Sequence, residues 1–67
     1  MTLFIQKSNT EEVLYQMDEF FCVPDVGDSI RIGDTWYYVV ERYYYFNQTT
    51  HNTGNSVSIF VEEDKSY

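Results

Sequence analysis

The chain carries one cysteine, Cys22, and one histidine, His51. Those two types make a thiolate nucleophile and its base when a fold brings them together. Their settings argue otherwise. His51 lies in a polar run with Thr49, Thr50, Asn52 and Thr53, the setting of a solvated loop histidine. Cys22 stands between Phe21 and Val23, the setting of a small buried hydrophobe. A structural zinc site takes about four ligands, which one Cys and one His do not supply. Asp25, Asp28 and Asp34 are close in sequence, but a calcium loop places its acids at alternate positions of a longer segment. Aspartates beside Gly27 and Gly33 are ordinary turn formers. The sequence has no Gly-rich phosphate loop and no pair of catalytic groups on rigid elements. It predicts a protein that is not an enzyme and has no metal and no cofactor.

Contact chemistry remains. Residues 26–46, VGDSIRIGDTWYYVVERYYYF, contain Trp36, Tyr37, Tyr38, Tyr43, Tyr44, Tyr45 and Phe46. Trp, Tyr and Arg are the types that dominate the centres of protein interfaces. Gly33-Asp34 fits a two-residue hairpin loop with Gly first, a type II′ turn. That turn sets Ile32 opposite Thr35 and Ile30 opposite Tyr37. Tyr37 and Val39 then share the face of the isoleucines, and Trp36, Tyr38, Val40 and Arg42 share the other face with Arg31. The strand from Thr35 to Phe46 is long for a small domain, and such strands bend through a bulge that changes which face is inside. A single small sheet cannot hide both faces of this strand. Trp36, Tyr38, Arg42, Tyr43 and Tyr45 are therefore the predicted partner-binding residues.

Short alternating segments must position them. Thr2–Lys7 reads as a strand with Leu3 and Ile5 on one face and Phe4 on the other, and Ser8–Glu11 as a turn. Residues 12–22, EVLYQMDEFFC, are ambiguous. Val13, Leu14, Met17, Phe20 and Phe21 fall on one helical face, with Ser8 or Asn9 as a cap, and this periodicity slightly favours a helix. As a strand, Val13, Tyr15, Met17 and Phe21 share a face. Pro24 opposes helix in Cys22 and Val23 and marks a connection. Ser29–Ile32 is a short strand, Asn47–Asn55 a polar loop, and Ser56–Glu62 a last strand with Val57, Ile59 and Val61 inward and Phe60 opposite. The predicted core is Leu3, Ile5, Val13, Ile30, Ile32, Tyr37, Val39, Val57, Ile59 and Val61. Residues 1–62 form one small β domain, and 63–67 an acidic C-terminal tail.

At 67 residues the chain is one domain near the lower limit of independent stability. Its hydrophobic share of 43% is too high for a disordered chain, despite the net charge of −7. Aromatics at 19% suit a core with few positions, because each buries a large area. Eleven acids face only Lys7, Arg31, Arg42 and Lys65. That balance predicts no direct binding to nucleic acid and no attraction to anionic membranes. No segment approaches the length of a membrane-spanning helix. The N-terminal MTLFIQKSN does not read as a signal peptide. A cytoplasmic location follows, in which a lone cysteine stays reduced and the Asn47-Gln48-Thr49 sequon has no meaning.

The run FFCVPDVGDSIRIGDTWYYVVERYYYF resembles a pattern found in small uncharacterised all-β proteins of phages, plasmids and bacteria. The pattern is an apolar pair, Val-Pro, Gly-Asp, an alternating strand, a tight turn and Tyr-x-Val-Val. Phe20, Phe21, Val23, Pro24, Gly27, Asp28, Ile30, Ile32, Tyr37, Val39 and Val40 carry it here, and the closing SVSIFVEE is similar. The resemblance implies a strand at 12–21 paired with residues 2–8. The expected fold is all-β, a five-stranded antiparallel meander closing as an SH3-like barrel or a strongly curved sheet. The alternative is α+β, with a helix at about 10–21. The resemblance also implies a mobile-element setting, in which very small acidic proteins bind host proteins. The expected function is binding and inhibition of a host protein, a defence or nucleic-acid-processing enzyme, by occlusion. The alternatives are an assembly module forming a homo-oligomer, a DNA-mimicking inhibitor whose acids imitate phosphates, and a small-ligand binder with the aromatic strand as a pocket wall.

Overall fold

The computed structural model describes residues 1–20, 22–46 and 55–65. Phe21, His51 and most of the expected polar loop therefore lie outside the described residues. Five strands are present and no helix is found among the described residues: β1 (Thr2–Lys7), β2 (Val13–Met17), β3 (Ser29–Ile32), β4 (Thr35–Tyr45) and β5 (Ser56–Glu63). The turn joining β3 to β4 is the predicted one. Gly33 takes a φ of 63°, while Asp34 keeps the negative φ that the second position of a type II′ turn requires. Ile32 lies opposite Thr35 and Ile30 opposite Tyr37, the expected register.

All five strands belong to one sheet, in the order β2-β1-β5-β4-β3, curled into a half barrel. The all-β architecture and strong curvature match expectation. The strand order is not a simple meander, because β5 inserts between β1 and β4, and its pairing with β1 is parallel. The other three pairings are antiparallel. The physical reason lies in β5 itself. Its alternate residues Val57, Ile59 and Val61 are the most apolar set in the chain, and a strand flanked on both sides buries them best. All three are essentially inaccessible, at 0%, 0% and 1%.

Leu3, Ile5, Tyr37 and Val39 complete the core, with Leu14, Met17, Phe20, Val23, Ile30 and Ile32 packed partly buried against it. Burial of one such aliphatic side chain contributes roughly 1.5–3 kcal/mol. Val13, expected in the core, is exposed. A bulge places Tyr15 opposite Ile5 but Val13 opposite Gln6, so Leu14 is the extra residue and Val13 turns to the outer face. The helix alternative at 10–21 is replaced by β2 and a tight loop. Glu11 sits at φ 61°, its N–H donates to the Lys7 carbonyl, and the Lys7 N–H donates to the Glu12 carbonyl. The helical periodicity arose because the bulge set two apolar residues side by side and because Phe20 belongs to the next connection. Cys22, expected buried, is exposed in that connection. Its neighbours Phe20 and Val23 take the inward positions instead.

The turn Asp25–Asp28 prepares the entry to β3. The Asp28 N–H donates to the Asp25 carbonyl, and Gly27 supplies the φ of 95° that a type II turn asks of its third residue. The Asp25 N–H donates to Asp28 Oδ2 at 2.8 Å, and the Val26 N–H to Asp25 Oδ1 at 3.0 Å. These aspartates thus act as turn formers. The turn docks on β4 through the Gly27 N–H to the Val39 carbonyl and the Val39 N–H to the Asp28 carbonyl.

Candidate functional site

Beyond Val39 the β4–β5 ladder shifts. Val39 faces Val61, whereas Glu41 faces Phe60, so Val40 is an extra residue. The bulge reverses the parity of the strand. Before it, Tyr37 and Val39 point inward. After it, Arg42 and Tyr44 lie on the inner side opposite Ile59 and Val57, while Glu41, Tyr43 and Tyr45 lie on the outer side. Trp36, opposite Arg31, and Tyr38, opposite Glu62, are also on the outer side. Four of the five expected contact residues therefore share one face: Trp36, Tyr38, Tyr43 and Tyr45. The fifth, Arg42, does not share the face of Trp36 and Tyr38 as expected, because the bulge falls between them.

The outer face contains two more aromatics, Phe4 on β1 and Phe60 on β5. Phe4 and Tyr43 both lie opposite Ser58, from its two flanking strands. Ser58 is only 6% exposed although it is on the outer side, because large side chains crowd round it. The Tyr43 and Phe60 rings meet edge to face, with centroids 5.6 Å apart and planes at 79°. That is a favoured geometry for aromatic quadrupoles. Tyr38, Tyr43 and Tyr45 nevertheless remain 37%, 46% and 51% exposed. Phe4 and Phe60 were legible as outward positions in their own strands. What joins them to the tyrosines is the parallel β1–β5 pairing, which no local signal announces.

Two carboxylates are built into this face. The Tyr38 hydroxyl donates to Glu62 Oε1 at 3.1 Å, and the Tyr43 hydroxyl donates to the Glu41 carboxylate. The hydrogen bond to Glu62 and that residue's charge raise the Tyr38 pKa above its ordinary value. The hydrogen bond and charge of Glu41 do the same for Tyr43. Both phenols stay protonated at neutral pH and hold the carboxylates among the rings. The result is an aromatic surface with fixed negative charge.

On the inner side past the bulge, Arg42 acts within the chain. Its guanidinium pairs with Asp25 at 3.4 Å and lies 5.6 Å from the centre of the Tyr44 ring. Tyr44 and Phe46 stack nearly parallel, with centroids 6.1 Å apart. Arg42 thus fastens the Asp25–Asp28 turn to β4.

Cys22 is exposed in the connection after β2, and His51 lies outside the described residues. Among the described residues no group of three or more His, Cys, Asp and Glu side chains is arranged to hold a metal ion. No helix among them is long and apolar enough to cross a membrane. Trp36 walls a concavity of about 450 Å³ with Asp34, Thr35, Glu63, Asp64 and Lys65, whose polar, acidic rim lacks the apolar enclosure typical of a small-molecule site. No protein-family model, curated protein or solved structure matches this chain.

Proposed function

We propose that this protein is a non-catalytic binding protein that docks its outer aromatic face on another protein and blocks it by occlusion. The supporting observation is the set of rings from β1, β5 and β4 on one side of the sheet, with Phe4 and Phe60 partly buried and Tyr38, Tyr43 and Tyr45 at 37–51% exposure. Tyrosines pinned by strand pairing contribute large contact area with little ordering cost. Glu41 and Glu62, held by tyrosine hydroxyls within that face, favour a partner with basic groups around an apolar centre. The same carboxylates oppose a self-contact, in which like charges would meet. The resemblance of the Val23-Pro24 to Val40 segment adds the setting: a phage or plasmid product acting on a host protein in the cytoplasm.

The test compares Trp36→Ala and Tyr38→Ala with the parent, by sedimentation of the purified protein and by affinity for the host protein that the parent captures. Each substitution is expected to weaken partner binding by roughly 2 kcal/mol or more, with added salt slowing association. Unchanged affinity in both variants would move the contact surface elsewhere. Self-association lost in both variants, with no captured partner, would favour the assembly module.

A further inference from the structure

The two ends of the strand order, β2 and β3, are successive in sequence yet do not pair with each other. Among the described residues no strand bridges the gap between them. β2 is hydrogen-bonded to β1 alone among the described strands, so every second residue along it turns a backbone N–H and C=O away from the sheet. Natural edge strands are commonly blunted by Lys, Pro or an inward charge. Val13–Met17, VLYQM, contains none of these; its one irregularity is the bulge at Leu14, and Tyr15–Met17 pair regularly with β1. Val13 is 48% and Tyr15 47% exposed.

Beside this edge runs an apolar groove of about 350 Å³. Ile5, Tyr15 and Met17 form one wall; Ile30, Ile32 and Gly33 form the other, with Arg31 on the β3 side. Tyr15 and Met17 are on the inner side because they lie opposite Ile5 and Leu3. A strand laid along β2 would continue the sheet. Every second side chain of that strand would enter the groove and fill the gap between the two edges.

Charge selects the occupant. Glu11 and Glu12 precede β2, and Asp18 and Glu19 follow it; all four are exposed. Glu12 and Asp18 bracket the strand at a separation of roughly 20 Å along an extended chain. Local partners leave this charge in place: Glu12 meets Lys7 at 3.6 Å, an exposed pair, and Asp18 accepts from the neutral Thr2 hydroxyl at 3.1 Å. If a second copy paired antiparallel about Tyr15, Glu12 would lie opposite Asp18 and Glu11 opposite Glu19, acid against acid at both ends. Like charges directly opposite are destabilising. Positive ends on the incoming strand would reverse the sign of all four contacts.

We propose that β2 and the groove beside it bind a sixth strand supplied by another protein, an extended segment with alternating apolar residues and Lys or Arg at both ends. Backbone hydrogen bonds to β2 supply the register, the groove selects apolar side chains, and the flanking acids exclude self-pairing. This surface is a sheet edge and its inner groove, so the inference does not depend on the outer aromatic face.

The test uses the whole protein and a labelled nine-residue peptide, Lys-Lys-Ile-Thr-Val-Thr-Ile-Lys-Lys, with two controls. One control replaces all four lysines by glutamate; the other replaces the central valine and the threonine after it by proline, which removes the backbone donors of two successive residues, one of which faces β2 in either strand direction. The parent peptide is expected to bind and to slow amide exchange within residues 13–17, and both controls to bind at least tenfold more weakly. Glu19→Lys, at an exposed position, should lower affinity several-fold without changing the unfolding midpoint. Glu12→Lys, which also loses the exposed ion pair with Lys7, should lower affinity several-fold with only a small shift of the midpoint. Absence of binding by the lysine peptide, binding that tolerates proline, or protection of a strand other than β2 would overturn the proposal. So would a dimer, seen by sedimentation without peptide, whose residues 13–17 are already protected.

Discussion

Tyr37 and Tyr43 are the same residue type on the same strand, six positions apart. In a regular strand an even separation puts two side chains on one face. Here Tyr37 is 8% exposed, in the core opposite Ile30, and Tyr43 is 46% exposed on the outer side opposite Ser58. One extra residue, Val40, separates them. Composition cannot tell a core tyrosine from a surface tyrosine; parity along the strand does. The aromatic run of this chain is two sets of residues with different physical duties, divided by face, and beyond Val39 the bulge decides which face each residue takes.

The largest expected effect breaks the core side of that comparison. Tyr37→Ala should cost about 3–5 kcal/mol, the range for deletion of a buried large aromatic side chain, and Ile59→Ala about 2–5 kcal/mol. Tyr43→Ala should cost well under half the Tyr37 figure, because its ring keeps solvent on one side. Urea denaturation of the three variants checks the order, and a Tyr43 variant as unstable as the Tyr37 variant would erase the distinction.

Gly33→Ala comes next. An added Cβ would meet no atom within 4 Å, so the penalty lies in the φ of 63° alone. A destabilisation of roughly 1 kcal/mol is expected for a non-glycine residue held there, read as a shifted midpoint with the β3–β4 register intact by amide exchange. Asp25→Asn is smaller. The Arg42–Asp25 pair is partly exposed, and pairs of that kind contribute about 0.2–1 kcal/mol. Salt should shrink the difference from the parent.

The smallest effect is a titration. Tyr38 and Tyr43 should lose their protons above the ordinary tyrosine value of 10.0, seen as late tyrosinate absorbance. The sign follows from linkage: a pKa raised in the folded state stabilises below the unfolded value, and that contribution disappears as pH rises through the folded one. Glu62→Gln should return Tyr38 toward 10.0 and leave Tyr43 late. A single tyrosinate transition unaffected by that substitution would show that the hydroxyl–carboxylate pairs do not persist in solution.

Much of this was legible locally. Gly33-Asp34 between two alternating segments fixes the turn type and four cross-strand pairs, because two residues suffice to set a hairpin register. Val57, Ile59 and Val61 declared an inward face by their spacing. The parallel pairing of β1 with β5 was not legible, since it joins segments more than fifty residues apart and leaves no turn signature. Bulge positions left a faint one. Val13-Leu14 and Val39-Val40 are adjacent apolar pairs in otherwise alternating strands, and each contains the extra residue of its bulge. Missing the first put Val13 in the core; missing the exact place of the second put Arg42 on the face of Trp36. Trp36, Tyr38, Tyr43 and Tyr45 were singled out by residue type, and the structure sets them on one face; adding Phe4 and Phe60 to that face needed the long-range strand order.

The central claim is that the outer tyrosines of β4 are contact surface for the occluded partner and the inner ones of β4 are not. Tyrosine-selective chemical labelling of the free and partner-bound protein, read residue by residue by mass spectrometry, tests it most directly. In the free protein Tyr38, Tyr43, Tyr44 and Tyr45 should react while Tyr37 stays inert. In the complex Tyr38, Tyr43 and Tyr45 should lose reactivity together while Tyr44 keeps it. Protection of Tyr44 with continued labelling of Tyr38, Tyr43 and Tyr45 would contradict the account and move the contact to the inner side of the sheet.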